Sequence, residues 1–386
     1  MDIVLEKRSL VFATSFLFIG VVSSAVLLVF PSEQMTHPYN AGAWIVFETE
    51  PLLYSRDNFT QTVLRIFSFG SMFVIATAFT KELIAKSIRL LVLEGVFVGA
   101  FGVAYQLSIL FGFPLIEASQ WFGLVSIKYI RPFLGPLPQM MSVPGEPGYT
   151  AIYFLFLLSL IIPVAISGQE RILSNRESVF FGSLFVCFLI LTGAGTGFGG
   201  LVILSIVLFT YYTFVKDTLP SFGRFVRFGF QTSIPALVVA LVVMEDPIGT
   251  ASVVIQELTF RGGSGPIRAH SMAFALDLFQ TRPLIGYGFG SYYGASVVGT
   301  ILVSTGVIGV TLFVAFHLFI VRDLIQLEQT IDIPPLESSL ARTLAISLTA
   351  LFATMLVAKS ITAIFFPWYW MAVGFGIALL TETYKR

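Results

Sequence analysis

Apolar runs of about 20 residues, separated by short polar breaks, recur along the whole 386-residue chain. Each run is long enough to cross the roughly 30 Å hydrocarbon core of a bilayer as a helix rising about 1.5 Å per residue. The pattern predicts ten spans, at 10–30, 63–80, 88–113, 148–168, 178–193, 198–215, 228–244, 297–321, 341–358 and 365–381. The fifth and sixth come from one long run broken only at Gly193-Ala194-Gly195-Thr196-Gly197, so the count of ten requires that glycine string to be a turn. One further helix is predicted outside the spans. A glycine-rich stretch leads to Ser264 or Gly265 as N-cap with Pro266 at the first helical position, and the helix runs to about Gln280 before Arg282-Pro283 stops it.

Composition fits lipid as the main solvent. Hydrophobic residues make up 56% of the chain and charged ones 11%, against about 25% charged in soluble domains. The predicted fold is therefore all-α: a polytopic membrane protein of about ten transmembrane helices plus a short extracytoplasmic amphipathic helix, with 1–386 forming a single integral membrane domain. The net charge is zero, so no basic field argues for a nucleic-acid partner. A single cysteine, Cys187, excludes an internal disulfide and any cysteine-cluster metal site. The first run follows Lys7 and Arg8, as a signal peptide would, and Ser23, Ser24 and Ala25 are small, as at a cleavage site. It is longer than the usual 7–15 residue apolar region, however, and is read as a retained helix.

Loop charge sets the expected orientation. With the N-terminus in the cytoplasm, fourteen of the 22 Lys and Arg residues fall inside, which favours both termini cytoplasmic and an even number of spans. The eight left outside are Arg56, Arg65, Lys128, Arg131, Arg261, Arg268, Arg282 and Lys359. Three outside segments are long, 31–62, 114–147 and 245–296, and the last is the main loop expected to carry the site. Within the spans Glu94 is expected to pair with Lys81 or Arg89, His317 to be a packed core histidine, and Trp368-Tyr369-Trp370 to form an interfacial aromatic belt.

The most informative chemistry lies at 260–271. Cations at a helix N-terminus oppose the helix dipole, so Arg261 and Arg268 together cost stability unless an anion sits between them. Glycines at the same end expose backbone N–H groups that suit phosphate. At 100° per residue Arg268 shares a face with Met272, Ala275 and Phe279, while His270 and Asp277 lie on roughly the opposite side. Arg282 is a candidate third cation. These arginines read as a diphosphate site at the membrane surface. The bland alternative is that they snorkel to lipid headgroups or pair with Glu245, Asp246, Glu257 and Asp277. Lys128 and Arg131 are candidates for glycan or phosphate contact on the same side. No metal-ligand cluster is visible, since His37, His270 and His317 fall in separate regions, and no cofactor is expected.

Three stretches carry a family resemblance. They are Arg282-Pro283-Leu284-Ile285-Gly286-Tyr287-Gly288-Phe289-Gly290-Ser291 followed by Ser304-Thr305-Gly306-Val307-Ile308-Gly309; the mid-chain Leu191-Thr192-Gly193-Ala194-Gly195-Thr196-Gly197; and Val143-Pro144-Gly145-Glu146-Pro147-Gly148. Their order resembles the O-antigen polymerase and ligase superfamily over roughly 140–310. The mid-chain turn has Gly195-Thr196 where that family carries an arginine, and the His-Asn pair of many ligases is replaced by Ala295 to Gly299. Both departures weigh more against a ligase than against a polymerase. The resemblance implies a glycosyltransferase of the bacterial inner membrane, acting outside the cytoplasm on a sugar chain held on a polyprenyl diphosphate. Its implied partners are that lipid-linked oligosaccharide, membrane lipids and a chain-length regulator.

In such chemistry a hydroxyl attacks the anomeric carbon and a diphosphate leaves, so charge develops where placed cations can stabilise it. Glu146 and His270 are the candidate bases. Glu146, at the outer end of a span, sits where desolvation would suit it to proton transfer, although a carboxylate there also stabilises a helix N-terminus or pairs with Lys128 or Arg131. A ligase passing the glycan to a lipid or protein acceptor stays open within the same class. A secondary transporter, with discontinuous helices near Gly193–Gly200 and Gly286–Gly290, stays open in another.

Overall fold

The computed structural model describes residues 3–30, 35–36, 50–51, 54, 56–112, 132–134, 137–140, 142, 147–167, 172–215, 223–224, 226–232, 234, 265–292, 297–330, 332–358 and 367–384. The protein is mainly helical: α1 (Ile3–Val29), α2 (Arg56–Ala78), α3 (Lys81–Phe111), α4 (Pro147–Ser167), α5 (Asn175–Thr192), α6 (Gly195–Thr210), α7 (Gly265–Thr281), α8 (Val297–Gln329), α9 (Pro335–Ala358) and α10 (Pro367–Tyr384). Two short antiparallel pairs, Met35–Thr36 with Glu50–Pro51 and Pro132–Leu134 with Leu137–Pro138, are the strands among the described residues. Eight helices, α1 to α6, α8 and α9, are long and apolar enough to cross a membrane, so the chain is a multi-pass membrane protein. Of the other two predicted spans, 365–381 is the helix α10, less apolar because aromatic and polar residues occupy both its ends. The span 228–244 lies mostly outside the described residues.

The glycine string between the fifth and sixth spans is a turn. Gly193 takes the left-handed conformation (φ 57°) as C-cap of α5, its N–H donating to the Ile190 carbonyl, and Ala194 is the N-cap of α6. At its other end α5 begins with a capping box, in which the Ser174 hydroxyl accepts from the Glu177 N–H and the Glu177 carboxylate from the Ser174 N–H.

The described helices form two compact units. The first holds Met1–Thr80, Gly263–Leu327 and Met355–Arg386. Its core is aromatic: Phe16 packs on Phe69 and Phe313, and Trp370 stands 4.2 Å from the Phe69 ring. Tyr369 and Trp370 are fully buried, so they build this core and are not the interfacial belt that their composition suggested. Gly374 lets α10 meet α2 closely, since a Cβ there would lie 2.9 Å from Ile75. His317 is a core histidine as expected, its Nδ1 2.8 Å from the Phe313 carbonyl and its ring stacked on Tyr369.

The second unit, Lys81–Gly262 with Glu328–Thr354, is built around α4. Apolar all round, α4 is buried nearly all round, as a helix without a polar face must be. Gly200 of α6 makes room for its Leu155, and Gly95 of α3 for its Leu157. The hydroxyl of Ser159, midway along the helix, meets the Phe156 carbonyl and the Ser347 hydroxyl. Charge collects at the end of the unit where α3, α5 and α9 begin and α4, α6 and α8 finish. Lys81 pairs with Glu337, Arg89 with Glu177 (2.8 Å) and Arg342 with Glu328 (2.6 Å). Glu94 is exposed, and Lys81 and Arg89 are engaged by these other carboxylates, which corrects the expected pairing.

Arg342 and Glu328 are 9% and 5% exposed. Removing one partner of such a pair leaves a buried uncompensated charge, so Arg342→Ala is expected to cost about 3–5 kcal/mol. The double variant Arg342→Met with Glu328→Leu is expected to return to within about 1 kcal/mol of the parent, because apolar isosteres avoid the desolvation cost. Thermal unfolding in detergent checks both. A double variant no more stable than Arg342→Ala would contradict this account.

Candidate functional site

The site builds outward from α7. It starts at Gly265, with Pro266 in its first turn, and ends at Thr281, one residue beyond the expected end. Its packed face carries Ser271, Ala275 and Leu278, with Phe274 against the same core of Leu27, Tyr287, Tyr292 and Val303. Asp277 and Leu276 face outward. Position 268 is in helical phase with 271, 275 and 278, and so with the packed face.

Ser271 and Tyr292 lock α7 to the chain that follows it. The Tyr292 hydroxyl donates to the Ser271 carbonyl at 2.6 Å, and the Ser271 hydroxyl sits 2.7 Å from the same phenol oxygen. Burial pushes the Tyr292 phenol up to about 12, so it stays a protonated donor at neutral pH.

The glycine-rich loop 282–291 is seated in a break of α8. Gly306 there has φ 62° and ψ −168°, a conformation essentially confined to glycine. The break removes the helical bonds that Val307 and Ile308 would donate to Val303 and Ser304. Loop backbone replaces them. Tyr287 N–H donates to the Val303 carbonyl (2.8 Å), Gly288 N–H to Ser304 (2.7 Å), Val307 N–H to Pro283 (2.8 Å) and Ile308 N–H to Leu284 (3.3 Å). A polar group left without a partner in a membrane domain costs several kcal/mol, and here both sides of the break are satisfied. The loop reaches this position through left-handed Gly286, Gly288 and Gly290.

Side chains from two spans pin the loop. Ser23 donates to the Ile285 carbonyl, and the Ser24 hydroxyl accepts from the Phe289 N–H at 3.1 Å. The Asn58 amide donates to the Phe289 carbonyl (2.9 Å) and to the Ser291 hydroxyl (2.8 Å). Arg65, 3% exposed, lies with its guanidinium 5.6 Å from the Phe289 ring centroid and donates to Gln61.

Among the predicted site residues, Arg282 is the one whose side chain is described. It donates to the Phe30 carbonyl (2.8 Å) and lies 4.9 Å over the Tyr287 ring, while its buried Nη1 has no hydrogen-bond partner. It follows the C-terminus of α7, where a cation complements the dipole. Fourteen residues of helix put it about 21 Å from position 268 along the axis, beyond the combined grip of two arginines on one diphosphate. Arg282 is thus engaged with Phe30 and Tyr287 at the other end of α7 from position 268. Positions 268 and 270 lie on α7, with their side chains outside the described residues, as are Lys128, Arg131, Glu146 and Arg261 altogether. No group of three or more His, Cys, Asp or Glu that would hold a metal occurs among the described residues.

The sequence reading missed Ser23, Ser24, Asn58, Ser271 and Tyr292 as parts of this assembly. Small polar residues on apolar helices have no periodic signature, and only their buried contacts mark them. No family model, curated protein or solved structure matches this chain.

Proposed function

We infer that the chain is an extracytoplasmic glycosyltransferase of a bacterial inner membrane that polymerises polyprenyl-diphosphate-linked oligosaccharide repeat units. The observation that carries this reading is the start of α7. Its Gly265-Pro266 opening follows Arg261 and precedes Arg268, and the Ser271–Tyr292 lock holds that end in place. A fixed helix N-terminus flanked by two arginines suits a diphosphate, and the developing leaving-group charge is what such a site stabilises. The two stretches 282–291 and 304–309 that carry part of the resemblance are hydrogen-bonded to each other, which supports treating them as one motif.

Glu146 and His270 are the proposed proton acceptors for the attacking hydroxyl, with Lys128 and Arg131 as glycan contacts. The arginines take the role that a divalent cation plays in other glycosyl and phosphoryl transfers. Ligation of the finished glycan is the neighbouring reaction. The break in α8 is of the kind that forms ion sites in transporters, but its freed carbonyls and N–H groups are taken by the loop backbone, which favours the enzyme reading over transport.

A deletion strain separates these outcomes. Polymerase activity predicts loss of the glycan ladder with a single repeat unit still on its acceptor. Full ladders accumulating on the lipid carrier would mean a ligase, and an unchanged glycan would refute both. Orientation has its own test: in a Cys187→Ser background, Ser264→Cys should react with an impermeant thiol reagent applied to intact cells and Arg176→Cys should not. Labelling at 176 alone would invert the topology.

A further inference from the structure

Glu94 sits on the outward face of the membrane-spanning helix α3. The inward face of α3 is set by small residues: Gly95 meets Leu157 of α4 and Phe185 of α5, and Gly99 meets Phe188 of α5. Leu157 is the midpoint of α4, and Phe185 stands near that of α5, whose 18 residues, about 27 Å of helix, nearly fill the hydrocarbon core. Glu94 is therefore at mid-depth. It is exposed there among Leu90, Leu93 and Phe97, which are 66%, 50% and 67% exposed, and Ala100 and Ala104 continue the same outward stripe.

A carboxyl in this position is costly, because ionisable residues within a span almost always face a bundle interior, a cavity or a partner. Lys and Arg escape to the interface on long stems, but a glutamate at mid-depth is too short to reach water. Among the described residues Glu94 has no ion pair or hydrogen bond, and Arg89 and Lys81 are held by Glu177 and Glu337. The buried Tyr153 phenol of α4 feels its charge but supplies no counter-charge. The group that satisfies this carboxyl has to come from the lipid side of α3.

We propose that the lipid-facing surface of α3 around Glu94 is an interface between two copies of this chain, in which the two Glu94 carboxyls hydrogen-bond to each other. Copies inserted in one membrane share an orientation, so a two-fold axis along the membrane normal brings the same residue of each to the same depth. A protonated carboxyl both donates and accepts, which makes it complementary to itself. A foreign partner needs a matching polar group at this depth, whereas a second copy necessarily carries one. Leu90, Leu93 and Phe97 surround the pair with apolar contact, and Ala100 and Ala104 let the two helices approach closely farther along. The interface is independent of the α7 assembly and of the glycosyl transfer assigned to it.

Disulfide trapping in native membranes, with the mass of the purified full chain in mild detergent, tests this. In a Cys187→Ser background, Leu93→Cys should cross-link to a dimer on oxidation, while Val202→Cys, midway along α6 and also 50% exposed, should not. The purified parent should weigh as a dimer. Glu94→Leu should weaken dimerisation by about tenfold or more. At dilutions where the chain is monomeric, the same variant should unfold at the parent temperature or above, because it removes a polar group from a lipid-facing position. Glu94→Gln should dimerise like the parent, since an amide also donates and accepts. A monomeric parent, equal cross-linking of Leu93→Cys and Val202→Cys, or unchanged dimerisation of Glu94→Leu would overturn the proposal. So would cross-linking of Leu93→Cys only to a different protein. Unfolding of the Glu94→Leu monomer would overturn it as well, by placing the partner of the carboxyl within its own chain.

Discussion

Gly306→Ala is expected to yield little folded protein. At φ 62° and ψ −168° an alanine is strained, and its Cβ would come within 2.3 Å of the Leu284 carbonyl carbon and oxygen. Backbone strain of this type costs about 1–3 kcal/mol. Relief by moving the loop breaks some of the four hydrogen bonds that satisfy the interrupted helix, each worth about 1–3 kcal/mol when its buried groups are left unpaired. The total, about 5 kcal/mol, rivals the whole stability of a typical domain. Gly70→Ala is the control: a Cβ at that position of α2 meets nothing within 4 Å, so the substitution should be neutral or slightly stabilising. Membrane yield and unfolding temperature in detergent read both variants. An unchanged unfolding temperature for Gly306→Ala would mean that the loop is not seated in the break.

Helices announce themselves by length and apolarity, and for that reason α1 to α6, α8 and α9 were legible in the sequence, as was the turn at Gly193. The start of α7 was legible from Gly265-Pro266. What each helix packs against was not. Trp370 and Tyr369 belong to a residue type that favours membrane interfaces, yet Phe69 and His317 enclose them, a contact made across distant parts of the chain. The Ser304-Thr305-Gly306 string gave no sign of a helix break, because glycine is common inside membrane helices and only the approach of loop 283–288 makes the break affordable. Arg282 was a candidate third cation beside Arg261 and Arg268, and it follows the opposite end of the α7 helix from position 268. Its length along the axis separates them.

Arg268 is the second position with a large expected effect. Position 268 is in helical phase with Ser271, Ala275 and Leu278, and a guanidinium buried on that face would be expensive unless an anion met it. If that anion is the substrate diphosphate, Arg268→Ala and Arg268→Lys should both reach the membrane at near-normal levels and lose polymer formation by about 10²-fold or more. Lysine fails because it keeps the charge but loses the planar fork that grips two phosphate oxygens. Unextended repeat units should accumulate in both strains. Full activity in Arg268→Lys would mean that a point charge is enough, and normal polymer in Arg268→Ala would remove the residue from the site. Poor folding of both variants would indicate a protein carboxylate as the partner instead.

The central claim is that this chain by itself forms glycosidic bonds between lipid-linked repeat units. Its most direct test is the purified protein reconstituted in liposomes with polyprenyl-diphosphate-linked repeat units and a metal chelator. The account predicts a ladder of lengthening glycan on the lipid carrier, with polyprenyl diphosphate released at each step and no dependence on divalent metal. Repeat units that stay unextended with and without metal, while no polyprenyl diphosphate is released, would contradict it.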